Sequence, residues 1–341
     1  MIQTNKTVYR KFLLILGVIA LFFLPLAVTN PYVMYVINLI LIYTLLALGL
    51  DLIVGYTGQV SVGHGAFFGI GAYVAAILSK NLGFSFWVNL PLSIILTALI
   101  GFIIGFIGLK LIEEYLVMAT LAFGTIIWLV FLNWTDLTGG PMGIAGITPP
   151  PPIKIGTFEF VFFQYQDYYP LLLLFVFLGI LVTRLIIRSG FGRACTAIRD
   201  DELAAQSMGI PVFKTKVIMF TISAAFCGAA GALYAHFLRV VSPETFTFSM
   251  SVTILTMVMI GGQGSIAGAV IGASILTVSS EALRETPELR MIIYGFLIVV
   301  MIMFFPKGIM GLFQLVKRRL QKRTIQTPET TPEKEGLSYE H

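Results

Sequence analysis

Long apolar segments alternate with short polar ones along most of the chain. Those that approach the roughly twenty residues needed to cross a bilayer as a helix are Phe12–Val28, Tyr32–Val54, Ser61–Leu78, Phe86–Leu109, Tyr115–Trp134, Tyr169–Ile187, Val217–His236, Ser249–Ile260, Ile266–Ser279 and Met291–Phe305. The pair Ser249–Ile260 and Ile266–Ser279 is shorter, and it predicts either two thin spans or a re-entrant pair. The pattern predicts an all-α, polytopic membrane protein of about ten transmembrane or re-entrant helices.

The composition excludes an ordinary soluble domain. Of 341 residues, 57% are hydrophobic and 11% are charged, whereas soluble domains carry roughly a quarter charged residues. The formal net charge of +5 does not indicate nucleic-acid binding, because the basic residues cluster in Arg184–Lys216 and Lys307–Arg323, like loops beside a membrane. The bias of Lys and Arg places both termini on the cytoplasmic side.

The chain divides into three parts. Residues 1–30 form an N-terminal transmembrane helix, which is retained because no small-residue cleavage site follows it. Residues 31–315 form the main transmembrane domain, with a cytoplasmic loop at 189–213 and an extracytoplasmic, proline-rich loop at 135–168. Residues 316–341 form a tail whose basic part suits the anionic inner leaflet and whose remainder is disordered.

A glycine-rich stretch, GYTGQVSVGHGAFFGIGAY at 55–73, interrupts the apolar pattern. Gly55 and Gly58 predict a helix break, and Ser61, Gly65 and Gly69 then recur at four-residue spacing. Irregular backbone at membrane depth survives only where protein or a water-filled cavity covers it. The stretch therefore predicts a wall of a solute path, or a tightly packed helix with no transport role.

A second stretch, Gly261–Gly268, echoes the first and predicts another helix break placed against it, although the likeness is short enough to be chance. Asp51 is the only acid well inside an apolar segment, and a structural role capping the broken backbone is favoured over a functional one. The candidate path residues are Gly58, Gln59, Ser61, His64, Gly65, Gly69, Gln263 and Ser265. For His64, a neutral, hydrogen-bonded helix histidine is the alternative.

The loop GFGRACTAIRDDELAAQSMGIP at 190–211 predicts two short helices. Asp200 or Asp201 can cap the second, and Gly209 with Pro211 stops it. Ala204, Ala205 and Met208 would form a small apolar patch suited to a groove of another protein. An ordinary capped connector is the alternative interpretation.

The sequence contains no pattern for catalysis or for a resident cofactor. It lacks the G-x-x-x-x-G-K-[ST] loop that cradles phosphates, and its histidines, His64, His236 and His341, have no metal-ligand spacing. No Ser/His/acid set can be proposed. Cys195 and Cys227 have no motif spacing and are predicted to be free packing residues.

Three motifs together resemble one family. They are the glycine stretch at 55–73, GRACTAIRDDELAAQSMGI at 192–210 and FFPKGIMGL at 304–312. In this order they are similar to the permease subunits of branched-chain amino acid ABC transporters, and to the LivM type rather than the LivH type. The resemblance runs from about residue 30 to 315.

The resemblance implies the ABC importer permease fold and a set of partners: a homologous second permease of the LivH type, two cytoplasmic ATP-binding subunits and an extracytoplasmic solute-binding protein. ATP would then be bound by the partner subunits. The loop at 189–213 would couple to the ATPase through Arg193, Ile198, Arg199, Asp201, Glu202, Ala204, Ala205, Met208 and Gly209.

The function implied is transport of leucine, isoleucine and valine into a bacterial or archaeal cell across its inner membrane, by alternating access. Related members of the family carry urea, short amides or other amino acids, and that alternative stays open. A stand-alone secondary carrier is a less favoured alternative because the apolar segments hold no array of acids. A membrane-embedded enzyme lacks any catalytic constellation.

Overall fold

The structure, a computed structural model, describes residues 24–28, 30–110, 113–155, 158–283, 286–304 and 308–311. Most of the predicted N-terminal span and the whole tail 316–341 lie outside the described residues. Helices within the described part are α1 (Leu24–Ala27), α2 (Pro31–Thr57), α3 (His64–Leu82), α4 (Phe86–Gly108), α5 (Glu113–Asn133), α6 (Thr135–Thr138), α7 (Tyr165–Arg188), α8 (Gly190–Asp200), α9 (Glu202–Ser207), α10 (Val212–Leu238), α11 (Phe248–Gly261), α12 (Ile266–Ala282) and α13 (Pro287–Phe304).

In the described part of the chain, six helices are long and apolar enough to cross a membrane: α2, α3, α4, α5, α7 and α10. This confirms the helical, multi-pass class, whereas the predicted number of about ten is not confirmed. The shorter helices α11 and α12 have 14 and 17 residues. At ~1.5 Å per residue α11 is about 21 Å long, which is less than the ~30 Å hydrocarbon core.

The core of the bundle is formed by α2, α3 and α10, and α4 packs closely on the last two. α2 begins at Pro31, after Asn30 accepts a hydrogen bond from the Tyr32 N–H, and ends at Gly58, whose left-handed backbone (φ 77°) stops the helix. Close approach depends on small residues, since a Cβ on Gly71 would lie 2.6 Å from the Gly228 Cα.

The segment between α5 and α7 contains short β elements that the all-α prediction did not include. β1 (Ile144–Ala145) pairs antiparallel with β4 (Val240–Val241), and β2 (Ile153–Ile155) pairs with β3 (Phe158–Phe160). Two 3-10 helices, Gly140–Met142 and Pro243–Phe246, complete this end. We call it the loop end of the bundle.

Thr148, just before the proline run, is held by two core helices. Its hydroxyl lies 2.6 Å from the Ser79 Oγ of α3, and its carbonyl accepts from His236 Nδ1 of α10 at 2.7 Å. The start of the proline run is therefore attached to the same helices that form the core. The opposite end of the bundle carries α8 and α9, and we call it the basic end.

Candidate functional site

The predicted helix break lies between α2 and α3, over residues 58–63. Its freed backbone groups find partners, as irregular backbone in an apolar surrounding requires. The Val62 N–H donates to Thr120 Oγ1 of α5 at 3.2 Å, and the Gly63 N–H lies 3.4 Å from Ser61 Oγ. The predicted break is thus present and begins at Gly58, whereas Gly55 lies inside α2; Ser61 supplies one of the hydrogen bonds in the break.

His64 starts α3 and is 1% exposed. Its Nε2 atom lies 2.8 Å from Ser223 Oγ of α10, and Ser223 donates its hydroxyl hydrogen to the Gly49 carbonyl of α2. Ser223 therefore accepts from an Nε2–H, which leaves Nδ1 to accept from Ser61 Oγ at 3.2 Å. His64 is a neutral, hydrogen-bonded histidine between three helices, and its ring does not face an open cavity.

The position of Gly49 gives the depth at which α3 begins. Gly49 lies two turns before the C-terminal end of α2, or about 12 Å along the helix axis. The N-terminal end of α3 is thus well inside the bundle, and α3 runs from this depth toward the loop end, where Ser79 contacts Thr148. Such a discontinuous helix exposes the positive end of its dipole at membrane depth.

A second discontinuous helix, α11, begins at the same depth. The Gly65 N–H donates to Ser251 Oγ in the first turn of α11 at 2.9 Å. A Cβ on Gly65 would lie 2.7 Å from that oxygen and 3.1 Å from the Thr247 carbonyl. From this meeting point α11 runs to the basic end and α3 to the loop end. The two helix N-termini therefore face each other inside the bundle.

A cleft of only about 10 Å³, enough for a single water molecule, lies between the two N-termini and α5. It is lined by Val62, Ala66, Leu121, Gly124, Thr125, Phe246, Thr247, Phe248 and Ser251. Leu121 and Phe248 are 41% and 49% exposed, so the cleft reaches the outer surface of this chain. The side chain of Thr247 does not cap α11. Hydroxyls and helix N-termini at this depth form an environment that favours a carboxylate over a cation.

The other predicted path residues separate into two groups. Gly69 packs inside the bundle, because a Cβ there would lie 2.7 Å from a Phe131 ring atom and 2.8 Å from Phe246. Gln59 is buried, and its amide makes no hydrogen bond to any described residue. Gln263 and Ser265 lie instead at the basic end, where Gln263 is exposed and Ser265 caps α12 by accepting from the Gly268 N–H. The sequence did not indicate this separation.

The break at 262–265, between α11 and α12, contacts the end of α2. The Gly264 N–H donates to Asp51 Oδ1 at 2.7 Å, and its carbonyl accepts from the Tyr56 hydroxyl at 2.8 Å. The second break therefore lies against the last two turns of α2, just before the first break. Asp51 bonds a backbone N–H, but that of Gly264 in the second break rather than the Gly55–Gly58 backbone expected from the sequence.

Both predicted short helices are present at the basic end, the second with a predicted cap and the first with a cap, Ser189, that the sequence did not indicate. Ser189 Oγ accepts from the Gly192 N–H at the start of α8, and Asp201 Oδ1 accepts from the Ala204 N–H at the start of α9. Gly209 has a left-handed backbone (φ 81°) just beyond the end of α9. α8 places Cys195 and Ile198 against the rest of the chain and leaves Arg193 exposed.

The apolar surface of α9 differs from the predicted one. Ala205 is 4% exposed and packs against its own chain, so it is not part of a free apolar patch. Leu203 and Met208, at 76% and 82%, are the large apolar side chains exposed there, and Ala204 is exposed beside them. Glu202 is held in an ion pair with Lys216 of α10 at 2.6 Å. Ala205 is buried because α9 packs on α10. The sequence of the loop alone does not predict that contact.

Sequence reasoning missed several residues that build this site, namely Thr120, Ser223, Thr247 and Ser251. The available signal was the polar run S-P-E-T-F-T-F-S-M-S at 242–251, which precedes an apolar segment too short to span. Among the described residues, no group of three or more His, Cys, Asp or Glu side chains could hold a metal ion.

Comparison with known proteins gives consistent results. The family model described as "Branched-chain amino acid transport system / permease component" matches residues 32–302. The LivM permease protein of the high-affinity branched-chain amino acid transport system of Salmonella typhimurium is 38% identical, over 90% of this chain and 76% of its own length. The LivM protein of Escherichia coli K12 is also 38% identical, over 84% of this chain and 73% of its own length. No solved structure matches significantly.

The second permease type of the same systems is also similar, at lower identity. The LivH protein of Salmonella typhimurium is 28% identical over 79% of this chain and 91% of its own length. A probable LivH of Methanocaldococcus jannaschii is 29% identical over 81% of this chain. With a helical bundle, two discontinuous helices and the capped loop in place, this chain belongs to the branched-chain amino acid transport permease family.

Proposed function

We propose that this chain is a membrane permease subunit of an ATP-driven ABC importer that moves leucine, isoleucine and valine into the cell. The observation that carries the proposal is the meeting of two helix N-termini at Gly65 and Ser251, inside a chain of this family. A zwitterionic amino acid needs a place for its carboxylate and an apolar surface for its side chain. Helix N-termini beside hydroxyl groups supply the first, and exposed apolar residues of α5 supply the second.

The path runs along the outer face of α5 and the N-terminal end of α11. Exposed N–H and hydroxyl groups at this depth are unfavourable against lipid. A second, homologous permease of the LivH type covers this face, and the path lies between the two subunits. This subunit provides a passage with few charges, so selectivity rests mainly on the extracytoplasmic solute-binding protein.

The basic end faces the cytoplasm and the loop end faces outward, in agreement with the distribution of Lys and Arg. Two cytoplasmic ATP-binding subunits supply the hydrolysis, because this sequence has no phosphate-cradling loop. One of them binds the exposed surface of α8 and α9, which includes Arg193, Leu203 and Met208. Movement of these helices opens the path alternately to each side.

Reconstitution tests the proposal. The chain, its partner permease and the ATP-binding subunits are placed in proteoliposomes with the solute-binding protein, and labelled leucine and urea are offered separately. We expect ATP-dependent accumulation of leucine, and none of urea. Accumulation of urea would favour the amide alternative within the family. Uptake by this chain alone, driven by an ion gradient, would identify a secondary carrier and contradict the proposal.

A further inference from the structure

Arg199, in the last turn of α8, reaches out of its own loop to the main bundle. Its Nη1 atom donates to the Gly55 carbonyl of α2 at 2.8 Å. Gly55 lies in the last turn of α2, where carbonyls have no N–H donor from the helix itself. The guanidinium therefore caps the C-terminal end of α2, where a positive charge is also favoured by the helix dipole.

Different parts of the Arg199 side chain lie against the two helix breaks, its aliphatic stem against the first and its guanidinium against the second. A Cβ on Gly58, which begins the first break, would meet Arg199 Cγ at 3.1 Å, and a Cβ on Gly264, in the second, would meet Nη1 at 3.5 Å. Gly55 lies beside these two glycines, and a Cβ on Gly55 would overlap both Asp51 Oδ1 and the Gly264 nitrogen. These glycines allow three backbone segments and one arginine to share a small space.

Two hydrogen bonds connect the second break to the last two turns of α2. Gly264 donates to Asp51, one turn before Gly55, and accepts from Tyr56, the residue after Gly55. A displacement of Arg199 therefore acts on the Gly55 carbonyl and, through these turns, on the 262–265 segment. Cys195 and Ile198 of α8 also pack against the rest of the chain, but the other side-chain hydrogen bonds described for α8 stay within residues 188–200.

The exposed half of the Arg199 side chain also pairs with Asp200, at 2.9 Å. That pair is 38% and 65% exposed at its two side chains, and surface ion pairs of this kind add little stability. The bond to the Gly55 carbonyl is a charge-assisted one that is partly buried. The bond from Arg199 to the Gly55 carbonyl is therefore the one that ties the position of α8 to that of α2.

We propose that Arg199 is the positioning residue through which movement of α8 reaches both helix breaks. The inference rests on the proposed function, in which α8 and α9 bind an ATP-binding subunit. Specifically, we expect that when the Arg199–Gly55 bond is lost, the complex transports less substrate for each ATP it hydrolyses. Binding of the ATPase is measured separately, because the family resemblance also places Arg199 among the residues that couple to it; Arg193, Leu203 and Met208 are unchanged in the variant.

The test uses the reconstituted complex with Arg199→Gln, Arg199→Lys and the control Arg188→Gln. Arg188 is exposed at the end of α7, and its side chain lies outside the contacts described above. For Arg199→Gln we expect uptake per ATP hydrolysed to be lower by about tenfold, the scale of one charge-assisted hydrogen bond, with co-purification and ATP hydrolysis measured on the same preparation. Arg199→Lys keeps a cationic donor and should recover part of the loss, and Arg188→Gln should match wild type.

A second measurement follows the break itself. Val60 is 42% exposed, and Val60→Cys reports the first break through its rate of labelling by a small thiol reagent. Labelling should change on addition of ATP in the wild-type background and stay constant with Arg199→Gln. Unchanged uptake per ATP, or equal loss of assembly, hydrolysis and uptake, would overturn the assignment of Arg199. If the wild-type complex shows no ATP-driven uptake, the proposed function itself fails, whatever Arg199 does.

Discussion

His64 Nε2 and Ser223 Oγ are 2.8 Å apart and join the start of α3 to α10. Because Ser223 also donates to the Gly49 carbonyl, this pair fixes the depth at which α3 begins. His64 and Ser223 are both buried, so the His64 Nε2–H depends on Ser223 Oγ for its hydrogen bond.

Ser223→Ala should therefore destabilise the protein by about 1–3 kcal/mol, since it leaves the buried His64 Nε2–H without a partner. Thermal unfolding of the purified chain in detergent measures the effect. Ser93→Ala is the matched control, because Ser93 is equally buried and its hydroxyl makes no hydrogen bond to any described residue. Similar losses for both variants would show that the Ser223 bonds do not stabilise the break.

Gly65→Leu should abolish uptake. Its side chain would enter the space held by Ser251 Oγ and the Thr247 carbonyl and separate the two helix N-termini. Gly69→Leu should act similarly, through Phe131 and Phe246. Uptake of labelled leucine is compared at equal membrane expression. Gly295→Leu is the control, since nothing lies within 4 Å of a Cβ at that position. Normal uptake by Gly65→Leu would contradict the role of this contact.

Met208→Asp should weaken binding of the ATP-binding subunit while the chain keeps its fold. Met208 is 82% exposed, and surface substitutions usually change stability by no more than about 0.5 kcal/mol. Ala205→Arg should instead destabilise the chain itself by roughly 1–3 kcal/mol, because Ala205 is buried between α9 and its own bundle. Co-purification of the ATP-binding subunit and thermal unfolding separate the two effects. Gln206→Asp, on the same helix, is the charge-matched control for Met208→Asp, and equal loss of binding in both would argue against a specific role for Met208.

Thiol labelling tests the orientation. Met142→Cys at the loop end should react with an impermeant maleimide from outside intact cells, and Lys214→Cys at the basic end only after the membrane is opened. The two native cysteines should add little labelling of their own, because Cys195 and Cys227 are buried. Burial raises the pKa of the Cys195 thiol to about 12, so it stays protonated and unreactive at pH 7 to 9, and labelling would rise only at strongly alkaline pH. Labelling of Met142→Cys and Lys214→Cys from the same side would refute the topology.

The sequence by itself determined the features that depend on neighbouring residues. Long apolar runs fixed the helical, membrane-spanning class, because hydrocarbon forces backbone groups to bond within the helix. Gly58 and Gly209 marked helix ends because a left-handed backbone disfavours residues with a Cβ. Asp200 and Asp201 were the cap candidates because such a cap needs only an N–H two or three residues away, and the structure shows that Asp201 is the one that bonds.

Only the tertiary structure decided which of these elements meet. α2 is apolar on all sides, so its sequence has no polar stripe to show which neighbours it packs against. The pairing of His64 with Ser223 joins residues 159 positions apart, and that of Gly65 with Ser251 joins residues 186 apart. Ala205 is buried and Leu203 exposed because α9 docks on α10, a contact between helices that local propensity leaves open.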